Sequence, residues 1–231
     1  MDKINIKKWN KVADIALVVL AGFLFGDKVV FPISSKSSAQ EVRLENKIDG
    51  YIPILPIDYS YLITDKEFTD SSYLTQEQVQ KFLEQKKSVL SYKIKEKLFS
   101  EEIIKVSKKY QINPLLLLAR AQVEQGLVSA KQADEEKISK IMGYGCFDNG
   151  KTFESSLGFI EQIENSARIL RKHYDSFNNN KGAIELDNGK TKIMPKNGAT
   201  WALLKYTPWT ENGGNQLFRK VYDSYKKELE N

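Results

Sequence analysis

The sequence predicts a mainly α domain carrying one small β-hairpin, and three observations lead there. Apolar residues recur at helical spacing through most of the stretch from Thr75 to Leu229. Capping residues stand at the heads of those stretches, at Thr75, Ser100, Asn113 and Asn215. Only Ala183 to Ile193 reads as paired strands, with Asn188-Gly189 supplying a two-residue hairpin turn.

With 231 residues, 41% of them hydrophobic, the chain suffices for one sizeable core and is short for two full domains. Lys3, Lys7, Lys8 and Lys11 precede the apolar run Ile15 to Gly26, which Val29 to Ile33 extends. A basic segment before an apolar one is the form of a secretion signal, so residues 1–33 read as an N-terminal signal anchor or a signal peptide. The uninterrupted run is shorter than the ~20 residues of a comfortable span. Ser37-Ser38-Ala39 offers a cleavage site, but it lies far from the apolar run, which favours an anchor with the body of the protein exported. An amphipathic or buried helix of a cytosolic protein is the third reading. Residues 34–50 are small and polar and form a linker, leaving 51–231 as the folded domain.

Tyr51 to Ile57 holds two prolines in an apolar run and is expected to be extended, continuing so from Tyr59 to Phe68 across the core. Thr75-Gln-Glu-Gln78 is a capping box opening a helix with Val79, Phe82 and Leu83 inward. Ser100 should cap the next, whose apolar side is Ile103, Ile104, Val106 and Tyr110. Asn113 and Pro114 then start a helix in which Leu117, Ala121, Glu124 and Val128 share one stripe, beside a second stripe of Leu116, Ala119, Val123 and Leu127. A carboxyl in such a face loses hydration, which favours its acid form. Glu124 is therefore the residue to explain. The plainer reading is an ion pair with Arg120, four residues earlier, on a solvated edge.

Lys131 to Met142 is charged and holds one or two helical turns before Gly143-Tyr-Gly-Cys-Phe-Asp-Asn-Gly150, which is either a plain loop or a turn aiming Tyr144 and Asp148 into a cleft. Phe153 to Phe177 should be one long helix burying Phe159, Ile163, Ala167 and Leu170. After the hairpin, Gly198 to Tyr206 is helical until Thr207-Pro208, and Asn215 should cap a final helix with Leu217, Phe218, Val221, Tyr222 and Tyr225 inward.

The function classes narrow by elimination. A single cysteine, Cys146, excludes an intrachain disulfide, and a single histidine, His173, argues against a histidine-based metal site or a Ser-His-Asp triad. His173 reads as a surface or packing residue, and Cys146 as a small buried one whose Gly-rich setting leaves a site role open. No phosphate loop, dinucleotide fingerprint, zinc spacing or nucleophile elbow occurs, so no cofactor or metal is expected. The net charge of +5 is dispersed and no aromatic-interleaved basic stretch suggests nucleic acid. Carboxylates, tyrosines and amides remain, the residues of sugar-handling sites.

Four blocks, in order, resemble the lysozyme-like, glucosaminidase-type domains of exported bacterial cell-envelope proteins, relatives of the lytic transglycosylases. They are Tyr61 to Ser72 with Leu74 to Leu83; Asn113 to Ala119 with Glu124-Gln-Gly-Leu127; Met142 to Asp148 with Gly158 to Ile163; and Ala199 to Pro208 with Gly214-Asn215 and Phe218. The resemblance implies an α+β lysozyme-like fold and a general acid at Glu124. It implies one cleft wall with Tyr144 and Gln162 and another with Tyr206. Phe147 stands where proline is usual and Trp209 where histidine is frequent; Trp209 retains the capacity to stack on a sugar.

On this reading the chain is a peptidoglycan-cleaving glycosidase acting on β-1,4 bonds between amino sugars: a glucosaminidase, muramidase or lytic transglycosylase. A second carboxylate is expected roughly 5 to 5.5 Å from the acid for retention or 6.5 to 9.5 Å for inversion. Asp148 is the first candidate, Glu154 the second; without either, Glu124 serves as acid and then base, with Tyr144 helping to hold the charge. The expected partners are peptidoglycan glycan strands, and the membrane through the anchor. The competing reading is a non-catalytic glycan-binding or scaffolding protein of the envelope, in which Glu124 is paired with Arg120 or the groove is closed.

Overall fold

The structure, a computed structural model, describes residues 57–146, 152–210 and 214–230. The expected anchor and linker, and Asp148, lie outside the described residues. Eight α-helices are described: α1 (Asp65–Thr69), α2 (Gln76–Gln85), α3 (Phe99–Tyr110), α4 (Pro114–Gln125), α5 (Glu135–Ser139), α6 (Phe159–Ser176), α7 (Gly198–Tyr206) and α8 (Asn215–Glu230). β1 (Ile184–Leu186) and β2 (Thr191–Ile193) pair antiparallel between α6 and α7, with Ile184 opposite Ile193 and Leu186 opposite Thr191. The fold is thus mainly helical with one two-stranded sheet. Among the described residues no helix is long and apolar enough to cross a membrane.

Helix α4 runs through the middle. Asn113 turns the chain in an extended conformation, accepts from the Leu115 N–H through Oδ1, and donates from Nδ2 to Glu67 O. Pro114 fills the first position, where its missing N–H costs nothing. Every residue from Pro114 to Gln122 is buried, because α3 packs on one side and α8 on another. Gly126 ends the helix in the left-handed region (φ 69°), so Leu127 and Val128 lie beyond it, although both are still buried.

Around this axis α6 packs against α3 and α7. Its buried face is Phe159, Ile163, Ala167 and Leu170, as the spacing predicts. The capping box at Thr75 forms with Gln78, and Val79, Phe82 and Leu83 are buried. Helix α7 has the predicted limits and is capped by Asn197, which accepts from Thr200 N–H. On α8, Phe218, Val221, Tyr222 and Tyr225 are buried, while Leu217 is only partly so.

Five local expectations are corrected. The stretch before Phe68 is not wholly extended: Thr64 and Glu67 form a reciprocal capping box that starts α1. Helix α3 begins at Phe99 without a side-chain cap; fully buried Phe99 fixes its start, and Ser100 donates instead to Gln80 Oε1. The long helix begins at Phe159, since Gly158 has φ 128° and a separate 3₁₀ turn occupies Glu154–Ser156. The hairpin turn has four residues, 187–190, with positive φ at Asp187, Asn188 and Gly189. Asp187 is tied to the α7–α8 connection: its N–H donates to Pro208 O, and its carboxylate accepts from Thr210 N and Oγ1, each at 2.8 Å. That tether opens the loop. Finally, Asn215 does not cap α8; its amide donates to Thr207 O and Trp209 O.

Candidate active site

The site is assembled from the C-terminal half of α4, the glycine turn after α5, and the end of α7. The apolar first half of α4 gives way to Arg120, Gln122 and Glu124. Gln122 is spent on the chain reversal beyond Gly126, accepting from Ser129 N and donating to Ser129 Oγ. The side chain of Arg120 is 0% exposed and that of Glu124 25%, with Arg120 Nη1 at 3.5 Å from Glu124 Oε1. The pair is therefore not the solvated-edge contact of the plainer sequence reading.

Arg120 is held from several directions. Its guanidinium lies 4.4 Å from the Phe218 ring centre and 4.9 Å from that of Tyr206, and Nη1 donates to Thr207 Oγ1 at 2.8 Å. Nε and Nη2 are buried without a hydrogen-bond acceptor among the described residues. Burial draws the guanidinium below its ordinary pKa, and the nearby Glu124 charge and Tyr206 offset part of that. The Phe218 and Tyr206 rings add cation–π attraction through their negative faces.

The other oxygen of Glu124 faces the glycine turn. Gly143 has φ 68°, and a Cβ there would run into Glu124 Oε2 and lie 2.8 Å from Cδ. The backbone angle favours glycine here, and a Cβ would displace the carboxyl above it. Gly145 (φ 70°) repeats the geometry two residues on, against Ser156 Oγ and Phe153.

Gln162 fixes this turn. Its Oε1 accepts from Met142 N (3.2 Å) and Tyr144 N (3.1 Å), and its Nε2 donates to Tyr144 O and Ser156 O, both at 2.7 Å. Gln162 is 0% exposed, so it acts by holding the wall rather than by facing solvent. Tyr206 does the same from α7, donating to Met142 O at 2.7 Å and bonding to Ser166 Oγ at 2.8 Å. Burial foremost, then the Glu124 charge, pushes its hydroxyl pKa far up. Tyr144 is half-buried, as is Trp209, whose carbonyl accepts from Asn215 N.

The structure thus gathers Glu124, Tyr144, Gln162 and Tyr206 around one turn. Glu154 is exposed in its 3₁₀ turn, and Asp148 lies outside the described residues. Cys146 is half-buried, its thiol pKa raised mainly by burial, and bridges antiparallel to Thr152. His173 is half-buried on α6, its pKa lowered first by burial and then by Lys205 and Lys172. Among the described residues no group of His, Cys, Asp or Glu is gathered to hold a metal. The residue that sequence reasoning undervalued is Arg120: its position in an otherwise apolar helical stretch, with Ala119 and Ala121 on either side, was the available signal.

A family model for the LasA N-terminal domain matches residues 61–228. The chain belongs to that family. No curated protein and no solved structure matches it. The span matched to the LasA N-terminal domain contains every candidate site residue, from Glu124 to Trp209.

Proposed function

We propose that this LasA N-terminal-type domain is a peptidoglycan-cleaving glycosidase of lysozyme-like kind, in which Glu124 donates a proton to a β-1,4 glycosidic oxygen between amino sugars. The observation that carries the reading is the placement of Glu124. It is a partly exposed carboxyl at the end of a buried helix, laid against Gly143 where an added Cβ would meet the carboxyl itself. Three of the four sequence blocks resembling glucosaminidase-type domains contribute here: the second supplies Glu124, the third the Gly143 turn held by Gln162, and the fourth Tyr206, which donates to Met142 O of that turn. In the reaction the proton leaves Glu124, the electron pair of the C–O bond goes to the leaving oxygen, and an oxocarbenium forms at the sugar carbon. The Glu124 carboxylate left behind is paired with Arg120. Water, or a hydroxyl of the same sugar in a transglycosylase, then adds to the cation and returns a proton. Tyr144 and Trp209 offer ring faces and polar edges to the glycan, and Asp148 is the proposed stabiliser opposite. Export and anchoring through residues 1–33 bring the domain to its substrate, and no cofactor is required.

A second reading is favoured by one observation, the contact between Arg120 and Glu124. A carboxylate engaged as counter-ion of a buried cation suits a non-catalytic glycan-binding or scaffolding protein. Digestion of purified peptidoglycan by the full-length chain, with Glu124→Gln alongside and products resolved by mass spectrometry, separates the two. New reducing ends or anhydro sugars that disappear in the variant are expected. Intact glycan with retained binding to sacculi would establish the second reading instead.

A further inference from the structure

The two oxygens of Glu124 have different surroundings: Oε1 faces a buried guanidinium and Oε2 faces the bare α-carbon of Gly143. We propose that Arg120 is a positioning residue which, by occupying Oε1, confines the transferable proton of Glu124 to Oε2, on the side of the glycine turn. This rests on the reading of Glu124 as proton donor. Arginine has N–H groups to give and no lone pair to accept, so an oxygen directed at it is a poor seat for a proton. The proton belongs on the other oxygen.

Arg120 is held by several contacts. The guanidinium lies over the Phe218 and Tyr206 rings and donates to Thr207 Oγ1, contacts that hold it in place. Its spare donors, Nε and Nη2, are buried with no acceptor among the described residues, and Glu124 is the carboxylate paired with it. The exposed i,i+4 pairs Lys140–Glu136 and Arg219–Asp223 have no such enclosure; there both partners reach solvent. Among the described residues, the Tyr206 hydroxyl and the Cys146 thiol also act on Glu124. Burial moves both upward, so both remain neutral where a carboxyl titrates. Arg120 is the buried cation beside the Glu124 carboxyl.

The test follows the Glu124 carboxyl by carbon NMR in full-length protein labelled at glutamate Cδ, the signal being assigned by its loss in Glu124→Gln. In Arg120→Met the carboxyl should titrate at least about one pH unit higher than in the wild type, because a cation at this range favours the charged form. Arg120→Lys, which keeps the charge and is the variant more tolerant of folding, should stay close to the wild-type midpoint. An unmoved midpoint in Arg120→Met, or a Lys variant displaced as far as Met, would overturn the proposal. In parallel, the pH profile of peptidoglycan digestion should carry its high-pH limb upward by the same shift in Arg120→Met, with kcat reduced and KM nearly unchanged. A limb that stays while the NMR midpoint moves would also overturn the positioning role. A wild-type chain that leaves peptidoglycan uncut refutes the glycosidase reading, and the NMR result identifies that failure as separate from the pairing of Arg120 with Glu124.

Discussion

The two ends of helix α4 are built on opposite principles. From Pro114 to Ala119 the helix is apolar and fully wrapped, and its first turn is closed by Asn113. From Arg120 to Gln125 it carries a buried cation, an amide spent on the next turn and a partly exposed carboxyl. Neighbouring residues in one helix thus serve different ends: the first half secures the core, and the second accepts burial of charge to hold one carboxylate in place. Buried ion pairs add little to stability over apolar replacements, so the second half is where a function-driven compromise is expected.

The sharpest way to break this contrast is Leu116→Ala. Leu116 is 0% exposed, and the cavity should cost about 2–5 kcal/mol in urea denaturation. The digestion rate per folded molecule should be unchanged; a loss like that of a site variant would show that the two halves are not separable. Next in size is Gly143→Ala. An L-residue at φ 68° costs on the order of 1–3 kcal/mol, and the added methyl pushes directly on Glu124. Activity should fall further than stability does, measured as kcat against denaturation midpoint on the same preparation. Equal losses would mean that the carboxylate position is irrelevant. Asn113→Ala, at the opposite end, should cost about 1 kcal/mol as a lost N-cap, with activity intact.

How much of this was legible in the sequence follows the same division. Asn113-Pro114, Thr75 with Gln78, and Thr207-Pro208 signal their boundaries through local chemistry, and the structure has helix ends at each. Boundaries set by distant partners were not legible. Ser100 looks like a cap until Gln80 engages it, Asn215 until the carbonyls of Thr207 and Trp209 do, and Asn188-Gly189 like a tight turn until Asp187 is drawn to Thr210. The helix of Glu124 was legible from its stripes, and the burial of Arg120 was not, because the rings of Tyr206 and Phe218 that enclose it lie more than eighty residues away in the chain.

The smallest effect tests the scaffold beneath the apolar end of α4. Glu67 O accepts from Asn113 Nδ2, while its carboxylate accepts from Thr64 N at 3.0 Å and from Lys226 at 2.9 Å. Loss of hydration pulls this carboxyl upward, but the Thr64 bonds and the Lys226 ammonium outweigh it and hold it below its ordinary value of 4.5. A depressed folded-state pKa contributes stability that is fully present above the unfolded value and is lost as pH falls through the lowered one. Glu67→Gln should therefore slightly lower the melting temperature at neutral pH, with the gap to the wild type closing on acidification below about pH 4.5. The high-pH limb of digestion, governed from the other end of the helix, should not move. If Glu67→Gln shifted that limb, the ends of α4 would be electrostatically joined and the division between them would fail.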